Sequence, residues 1–327
     1  MTFLFHGRSL SSSYPTNYSS LIMKIQNSPI TQHQFNGVDF YLKRDDQLHP
    51  QFSGNKARKF MGLLDGDFPN ITTIIGYGSP QANSLYSLAA LATLKNWQLD
   101  FYVDHIPSFL QESPKGNYRA ALALGANIIA LNTLESAKQD DGSILNSLDY
   151  IQQVRQPKEH ELFVPEGGRC GLAESGVKQL AQELILWKNE QQLSQLTVAL
   201  PSGTGTTALF LHKHLKAHDI KVITCACVGG NQYLTDQFLE LDETDHPDIL
   251  TPTKKHHFGK LYRHDYDIWQ QLKTQTNVEF ELLYDPLMWR CLVDWMLNNT
   301  EQTLVYIHQG GLLGNESMLP RYQRKFD

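Results

Sequence analysis

"ALPSGTGTTALFLHKHL", residues 199–215, is the stretch on which the reading of this chain turns. A short apolar run ends at Leu200, a Ser-Gly-Thr-Gly-Thr-Thr turn follows, and a helical pattern opens at Thr206. Strand, glycine turn and helix in that order bring backbone N–H groups and hydroxyls together at a helix N-terminus, which favours an anion. The turn is not a P-loop, because G-x-x-x-x-G-K-[ST] is absent, and residues 203–208 read G-T-G-T-T-A rather than G-x-G-x-x-G. Nucleotides lose ground and a small phosphorylated ligand gains it. A turn that only caps its helix is the bland alternative.

Working outward, strand candidates at 38–43, 71–75, 99–104, 127–131, 161–165, 196–200, 221–227, 278–284 and 303–308 alternate with helical patterns. The helices are expected near 82–96, 116–124, 144–155, 172–190, 206–217, 262–275 and 286–299. This alternation predicts an α/β fold with largely parallel sheets. Glycine-rich punctuation follows four strands: "GYGSPQAN" (76–83), "EGGRCG" (166–171), "PSGTGTT" (201–207) and "QGGLLG" (309–314). Loops at the carboxyl ends of strands line the ligand crevice of open α/β sheets, so several segments are expected to build one site.

The bulk composition narrows the classes. The 327 residues are 41% hydrophobic, and a net charge of −6 argues against a general nucleic-acid binder. No apolar run is long enough for a membrane span. Four scattered cysteines (Cys170, Cys225, Cys227, Cys291) do not make a disulfide framework and point to a reducing, cytoplasmic setting. "TCAC" (224–227) lacks a second pair at zinc-ligand spacing, so no metal is expected. Residues 1–22, rich in Ser, Tyr and Thr, read as a flexible N-terminal extension.

"SGNKARKF" (53–60) sets Lys56 behind a Gly-Asn pair at the start of a helical pattern. An ordinary lysine, with pKa near 10.4, is protonated at neutral pH and does not attack a carbonyl. Burial or neighbouring positive charge makes it a usable nucleophile. Arg58 and Lys59 supply such a field only if they are not screened by solvent. A phosphate turn and a reactive lysine are together what pyridoxal 5'-phosphate requires, although composition alone makes any given lysine a surface residue.

The same region carries a resemblance. "KRDDQLHPQFSGNKARKF" (43–60) resembles the signature of the 1-aminocyclopropane-1-carboxylate deaminase and D-cysteine desulfhydrase family of pyridoxal-phosphate enzymes, K-R-[DE]-D followed by G-N-K-x-R-K. It continues in order through "GSPQANSLYSLAALA" (78–92), "PKGNYRAALALGA" (114–126), "VPEGGRCGLAESG" (164–176), "PSGTGTTA" (201–208) and "YIHQGGLLG" (306–314), nearly the whole chain after Met23. The resemblance implies the tryptophan-synthase-β-like fold, fold type II of these enzymes: two open, twisted, mostly parallel sheets with helices on both faces. It implies a small α/β domain, 57–160, inserted in a large cofactor domain built from 23–56 and 161–327, and a homodimer. Lys56 would hold the cofactor covalently and Asn55 would contact its ring oxygen. Ser202, Gly203, Thr204, Gly205, Thr206 and Thr207 would hold the phosphate. Ser79, Gln81, Ala82 and Asn83 would meet a small amino-acid substrate, with Asn83 on its carboxylate.

The family's D-P-V-Y-[TE]-G-K needs a choice of register against "LLYDPLMWRCLV" (282–293). Aligning the Asp-Pro pairs puts Met288 at the tyrosine. Aligning Tyr284 instead keeps the following apolar helix in phase without a gap and is preferred. It places Asp285 near the pyridine nitrogen, where a carboxylate favours the protonated ring, and gives Tyr284 a nucleophilic or acidic role near the substrate side chain. Tyr262 in "FGKLY" is the candidate second tyrosine, with plain packing as the alternative. One departure stands out: the family's Q-S-N reads Gln81-Ala82-Asn83 here, so Ser79 or Ser84 must supply a hydroxyl or the chemistry differs. Gln309 replaces a commoner threonine in the same way. The expected function is a deaminase or lyase giving an α-keto acid and ammonia; a pyridoxal-phosphate-binding protein with little turnover is the alternative that Ala82 favours.

Overall fold

The computed structural model describes residues 25–327; the extension expected over 1–22 lies outside the described residues. Six strands form one sheet in the order β1 (Ile30–Phe35), β2 (Val38–Lys43), β10 (Thr303–Ile307), β7 (Leu196–Ser202), β8 (Ile220–Ala226), β9 (Asp248–Leu250). Four form a second sheet in the order β5 (Asn127–Ala130), β4 (Gln98–Val103), β3 (Thr73–Tyr77), β6 (Glu161–Phe163). Every pairing is parallel except the β1–β2 hairpin. Its turn is Asn36–Gly37 at φ +50° and +80°, the left-handed pair that a two-residue hairpin demands.

Neighbouring residues of the six-stranded sheet face opposite cores, as the two-residue period of a strand requires. Val198, Leu200, Val305 and Ile307 pack under α6 (Glu174–Glu190) and α7 (Thr206–Leu215). Ala199, Leu304 and Tyr306 pack on the other face under α9 (Arg263–Thr276), α10 (Asp285–Asn298) and α11 (Asn315–Phe326). There the buried Trp289 ring meets Phe40 at 4.8 Å, Tyr306 at 4.9 Å and Phe35 at 5.2 Å. The four-stranded sheet carries α1 (Gly54–Asp65), α2 (Asn83–Lys95) and α4 (Gly116–Ala123) on one face and α5 (Ser147–Tyr150) on the other. The short α3 (Ser108–Glu112) follows β4, and α8 (Gly230–Leu239) follows β8. Helices therefore cover both faces of each sheet.

Two sequence expectations are corrected. Residues 278–284 form no strand, although Val278, Phe280 and Leu282 are buried at alternate positions; Glu281, between the last two, is buried as well. Residues 282–284 turn into α10, and backbone groups of the segment bond to side chains instead of a ladder. Trp269 Nε1 donates to the Phe280 carbonyl at 2.7 Å, and Asn315 Oδ1 accepts from Leu282 N at 2.9 Å. The helix expected over 144–155 is reduced to α5 and a π-turn at Ile151–Arg155. As for the boundaries expected at 56 and 160, the first falls inside α1 and the second falls just before β6, which pairs with β3 of the smaller sheet.

Candidate active site

The four glycine loops meet at one cavity of about 290 Å³. Those after β3 and β6 reach it from the four-stranded sheet and those after β7 and β10 from the six-stranded one. Of the residues singled out from the sequence, Asn55, Lys56, Ser79, Gln81, Ala82, Asn83, the run Ser202–Thr207, Tyr284 and Asp285 all line it. Tyr262 does not. It caps the start of α9, where its hydroxyl accepts from His257 N and its ring lies 5.0 Å from that of His256.

Lys56 sits in the first turn of α1, and that turn is docked on the loop after β10. Gly54, at φ +67°, has no room for a Cβ, which would come 1.9 Å from the Gln309 carbonyl, and Asn55 N donates to that same carbonyl. Asn55 Nδ2 donates to Gln309 Oε1, and Gln309 Nε2 donates to the Pro201 carbonyl at 2.7 Å, so Gln309 ties the lysine turn to the phosphate turn. Arg58 and Lys59 are buried, not screened. Arg58 points away from the cavity into Asp45 and Glu183, each within 2.9 Å, and Lys43 joins Glu183 at 2.7 Å. Lys59, one turn beyond Lys56 on the same face, donates to the Gly167 carbonyl. Burial pushes the Lys56 amine down to about 8, against a hydrogen bond with Lys59 and the charge of Glu166, which both raise it. Lys59 is also pushed down, by burial and by Lys56. An amine at that value is neutral in a useful fraction near neutral pH.

The turn from β7 into α7 is shaped for an anion. Gly205 caps α7 at φ +72°, and a Cβ there would strike Phe238 and Leu234 at 2.4 and 2.5 Å. Thr207 Oγ1 is buried with no hydrogen-bond partner, and no acidic residue occupies the first turn of α7. Ser202 is committed elsewhere, its hydroxyl bonded to Thr224 Oγ1 at 2.7 Å. Tyr284 leans over this turn, its ring edge 3.4 Å from where a Cβ on Gly203 would sit. Burial raises the Tyr284 hydroxyl far above its ordinary value, so it holds its proton. Asp285 lies beneath, accepting from Tyr306 Oη and from Glu281 N at 2.8 Å; burial raises its carboxyl, with His308 opposing. On the far wall, Asn117 Nδ2 donates to Asn83 Oδ1 at 2.7 Å and to the Gln81 carbonyl, and the Gln81 amide has no partner.

Sequence reading gave no place in the site to three charged residues of the lining, Lys59, Glu166 and Glu281, although Lys59 was expected to act on Lys56 as a neighbouring charge. The signal for Lys59 was its i+3 spacing from Lys56. That for Glu166 was its place directly after β6. Glu281 had none, because its segment reads as a strand.

No family model matches the chain. A Thermotoga maritima protein provisionally named 1-aminocyclopropane-1-carboxylate deaminase is 24% identical over 303 residues, 85% of this chain and 90% of that protein. The mitochondrial bifunctional D-cysteine desulfhydrase/1-aminocyclopropane-1-carboxylate deaminase of Arabidopsis thaliana is 20% identical over 297 residues, 85% of this chain and 74% of that one. The crystal structure of an ACC deaminase homologue superposes with a TM-score of 0.70 at 18% identity, over 91% of this chain and 93% of that one. Cysteine synthase from Entamoeba histolytica superposes with 0.61 at 13% identity, over 93% and 91%. The fold is that of the type II pyridoxal-phosphate enzymes. The similarity read from the motifs extends over most of the chain.

Pyridoxal phosphate is the cofactor of this type II fold, and the residues present fit it. The unpartnered Thr207 hydroxyl and the glycine turn suit its phosphate. The depressed Lys56 amine shares the cavity, and a buried carboxyl stands at Asp285. No cluster of metal-ligating side chains occurs among the described residues, and none of their helices is long and apolar enough to cross a membrane.

Proposed function

We propose that this protein is a pyridoxal-phosphate-dependent deaminase or lyase acting on a small amino acid of the 1-aminocyclopropane-1-carboxylate or D-cysteine type. It releases an α-keto acid and ammonia, with sulfide as well from D-cysteine. The observation that carries the reading is the Lys56 amine, lowered by burial, in one cavity with the glycine turn and unpartnered Thr207 hydroxyl at the start of α7.

When bound, the cofactor supplies an electron sink for charge developing at the substrate's α-carbon. The chain's own groups do the rest. Thr206, Thr207 and the N–H groups of the 203–207 turn hold the phosphate. Asn55, fixed by Gln309, would hold the ring oxygen, and Asp285 would supply a carboxyl for the ring nitrogen. Lys56 Nζ holds the cofactor and moves a proton as a general base. Asn83 and the N-terminal N–H groups of α2 take the substrate carboxylate. Tyr284, which keeps its proton, serves the substrate side chain as an acid.

The test is to incubate the purified protein with 1-aminocyclopropane-1-carboxylate and with D-cysteine and to assay 2-oxobutanoate, pyruvate and sulfide. A Lys56→Ala protein is expected to lose the yellow cofactor colour on dialysis; retention of that colour contradicts the reading. Ala82, where the family has a hydroxyl, supports a second reading, a cofactor-binding protein with little turnover. That reading prevails if a panel of D- and L-amino acids yields neither product nor a spectral change.

A further inference from the structure

Glu281 lines the cavity and has no task in the function above. Glu281 is 3% exposed, and its two oxygens are treated very differently. Oε2 accepts from Leu283 N and Tyr284 N, both at 2.8 Å, and so shapes the turn that presents Tyr284. Oε1 is buried and has no partner, although the side chain lines the cavity. A bare carboxyl oxygen in that position is costly unless something meets it.

The Glu281 side chain stands beside the Asn83 end of the cavity, with Oε1 over Gly314, where a Cβ would come 3.2 Å from it. Gly311, at φ +79°, lies under two converging side chains: a Cβ built there would be 2.6 Å from Asn83 Nδ2 and 3.3 Å from Glu281 Cγ. Because Asn117 donates to Asn83 Oδ1, Asn83 turns its Nδ2 donor towards this same space. The cavity lining includes no arginine, and its two lysines, Lys56 and Lys59, belong to α1 on the cofactor side. A carboxylate arriving at Asn83 therefore meets Glu281 with no side-chain cation to mask it.

We propose that Glu281 is a substrate-binding residue whose Oε1 keeps a proton and donates a hydrogen bond through it to the α-carboxylate of the amino acid held at Asn83. The inference rests on the amino-acid reading above and names the group that completes its carboxylate site. An ionised Glu281 would repel that carboxylate, so the proton decides whether substrate enters. The charges around Glu281 agree. Burial and then the Asp285 carboxylate push it up to about 8, and the N–H groups of Tyr284 and Leu283 only partly oppose them. The other titratable groups that feel it are the Tyr284 and Tyr322 hydroxyls, which are neutral, from the α10 turn and from α11. From β10, Tyr306 and His308 act on Asp285. From α2 and the 310–314 loop come only uncharged groups.

The experiment measures binding of 1-aminocyclopropane-1-carboxylate, D-cysteine, glycine and D-alanine to the holoenzyme from the change in cofactor absorption between about pH 6.5 and about pH 9.5. Infrared difference spectra follow the protonated-carboxyl C=O band over the same range. In the wild type, affinity is expected to fall above about pH 8, approaching tenfold per pH unit, as the infrared band disappears. Glu281→Gln, which keeps both an acceptor for the turn and a donor for the ligand, should retain neutral-pH affinity within about threefold and lose the alkaline limb. Glu281→Ala should bind at least about tenfold more weakly at neutral pH. An alkaline limb that persists in Glu281→Gln overturns the proposal, as does a Glu281→Ala protein that binds like wild type. A wild type with no carboxyl band, or with the band but no response to any of the four amino acids, overturns it too. If glycine and D-alanine show the limb while 1-aminocyclopropane-1-carboxylate and D-cysteine give no product, Glu281 stands and the substrate assignment fails instead.

Discussion

At the scale of single residues, Lys56 and Glu281 show the same physics with opposite signs. Removal from water disfavours the charged form, so the amine is pushed down and the carboxyl is pushed up, each to about 8. For Glu281 this has a consequence for stability. The unfolded chain ionises it near its ordinary 4.5, whereas the folded chain keeps the proton to about 8. The folded state therefore binds more protons between these values, and stability falls as pH rises through the window, by at most about 1.4 kcal/mol per pH unit. Glu281→Gln removes this pH dependence. The variant is expected to match wild type near pH 4.5 and to melt at higher temperature near pH 8 by calorimetry; parallel pH profiles would show that Glu281 is already ionised in the fold. Lys56 was legible from the Gly-Asn-Lys motif. Glu281 was not, because nothing in "VEFELLY" marks one acid as facing a cavity.

Among the elements, α1 is the one whose placement matters most, since it carries both lysines. Its outer face is pinned by Arg58, fully buried and shared between Asp45 and Glu183, with Lys43 completing the group. Against α6 there is no space to spare: a Cβ on Gly176 would come 2.0 Å from the Arg58 carbonyl. Truncating one member of a buried ionic group leaves its partners uncompensated, so Arg58→Ala is expected to destabilise the protein by about 3–5 kcal/mol in urea unfolding. A loss below about 1 kcal/mol would mean that the network is solvated. The alternation of strand and helix was readable because each has its own apolar period. The errors have physical causes. Residues 278–284 have the period of a strand, but their hydrogen bonds go to Trp269 and Asn315, a fact that no local pattern encodes. β1 was overlooked although Asn36-Gly37 announces its hairpin, because "ITQHQF" is too polar to stand out beside the core strands.

For the whole molecule, the cavity is closed by loops from both sheets, and a ligand there ties the two together. A ligand bound only by the folded state stabilises it by mass action, about 2.7 kcal/mol at a hundredfold excess over its Kd. Stripping pyridoxal phosphate with a carbonyl-trapping amine is expected to lower the melting temperature, and returning the cofactor should restore it. Inorganic phosphate should recover only part of the shift, through the 203–207 turn alone. Identical melting curves with and without pyridoxal phosphate would place the cofactor outside this cavity.

The amino-acid sequence alone settled the α/β class, the four glycine loops and the lysine, because periodicity, turn chemistry and motif order are properties of neighbours along the chain. Which acids face the cavity was decided only by the tertiary structure. So were the burial of Arg58 and Lys59, the exclusion of Tyr262 and the burial that raises the Glu281 carboxyl. Each of these depends on desolvation by segments far away in sequence, and desolvation has no local signature.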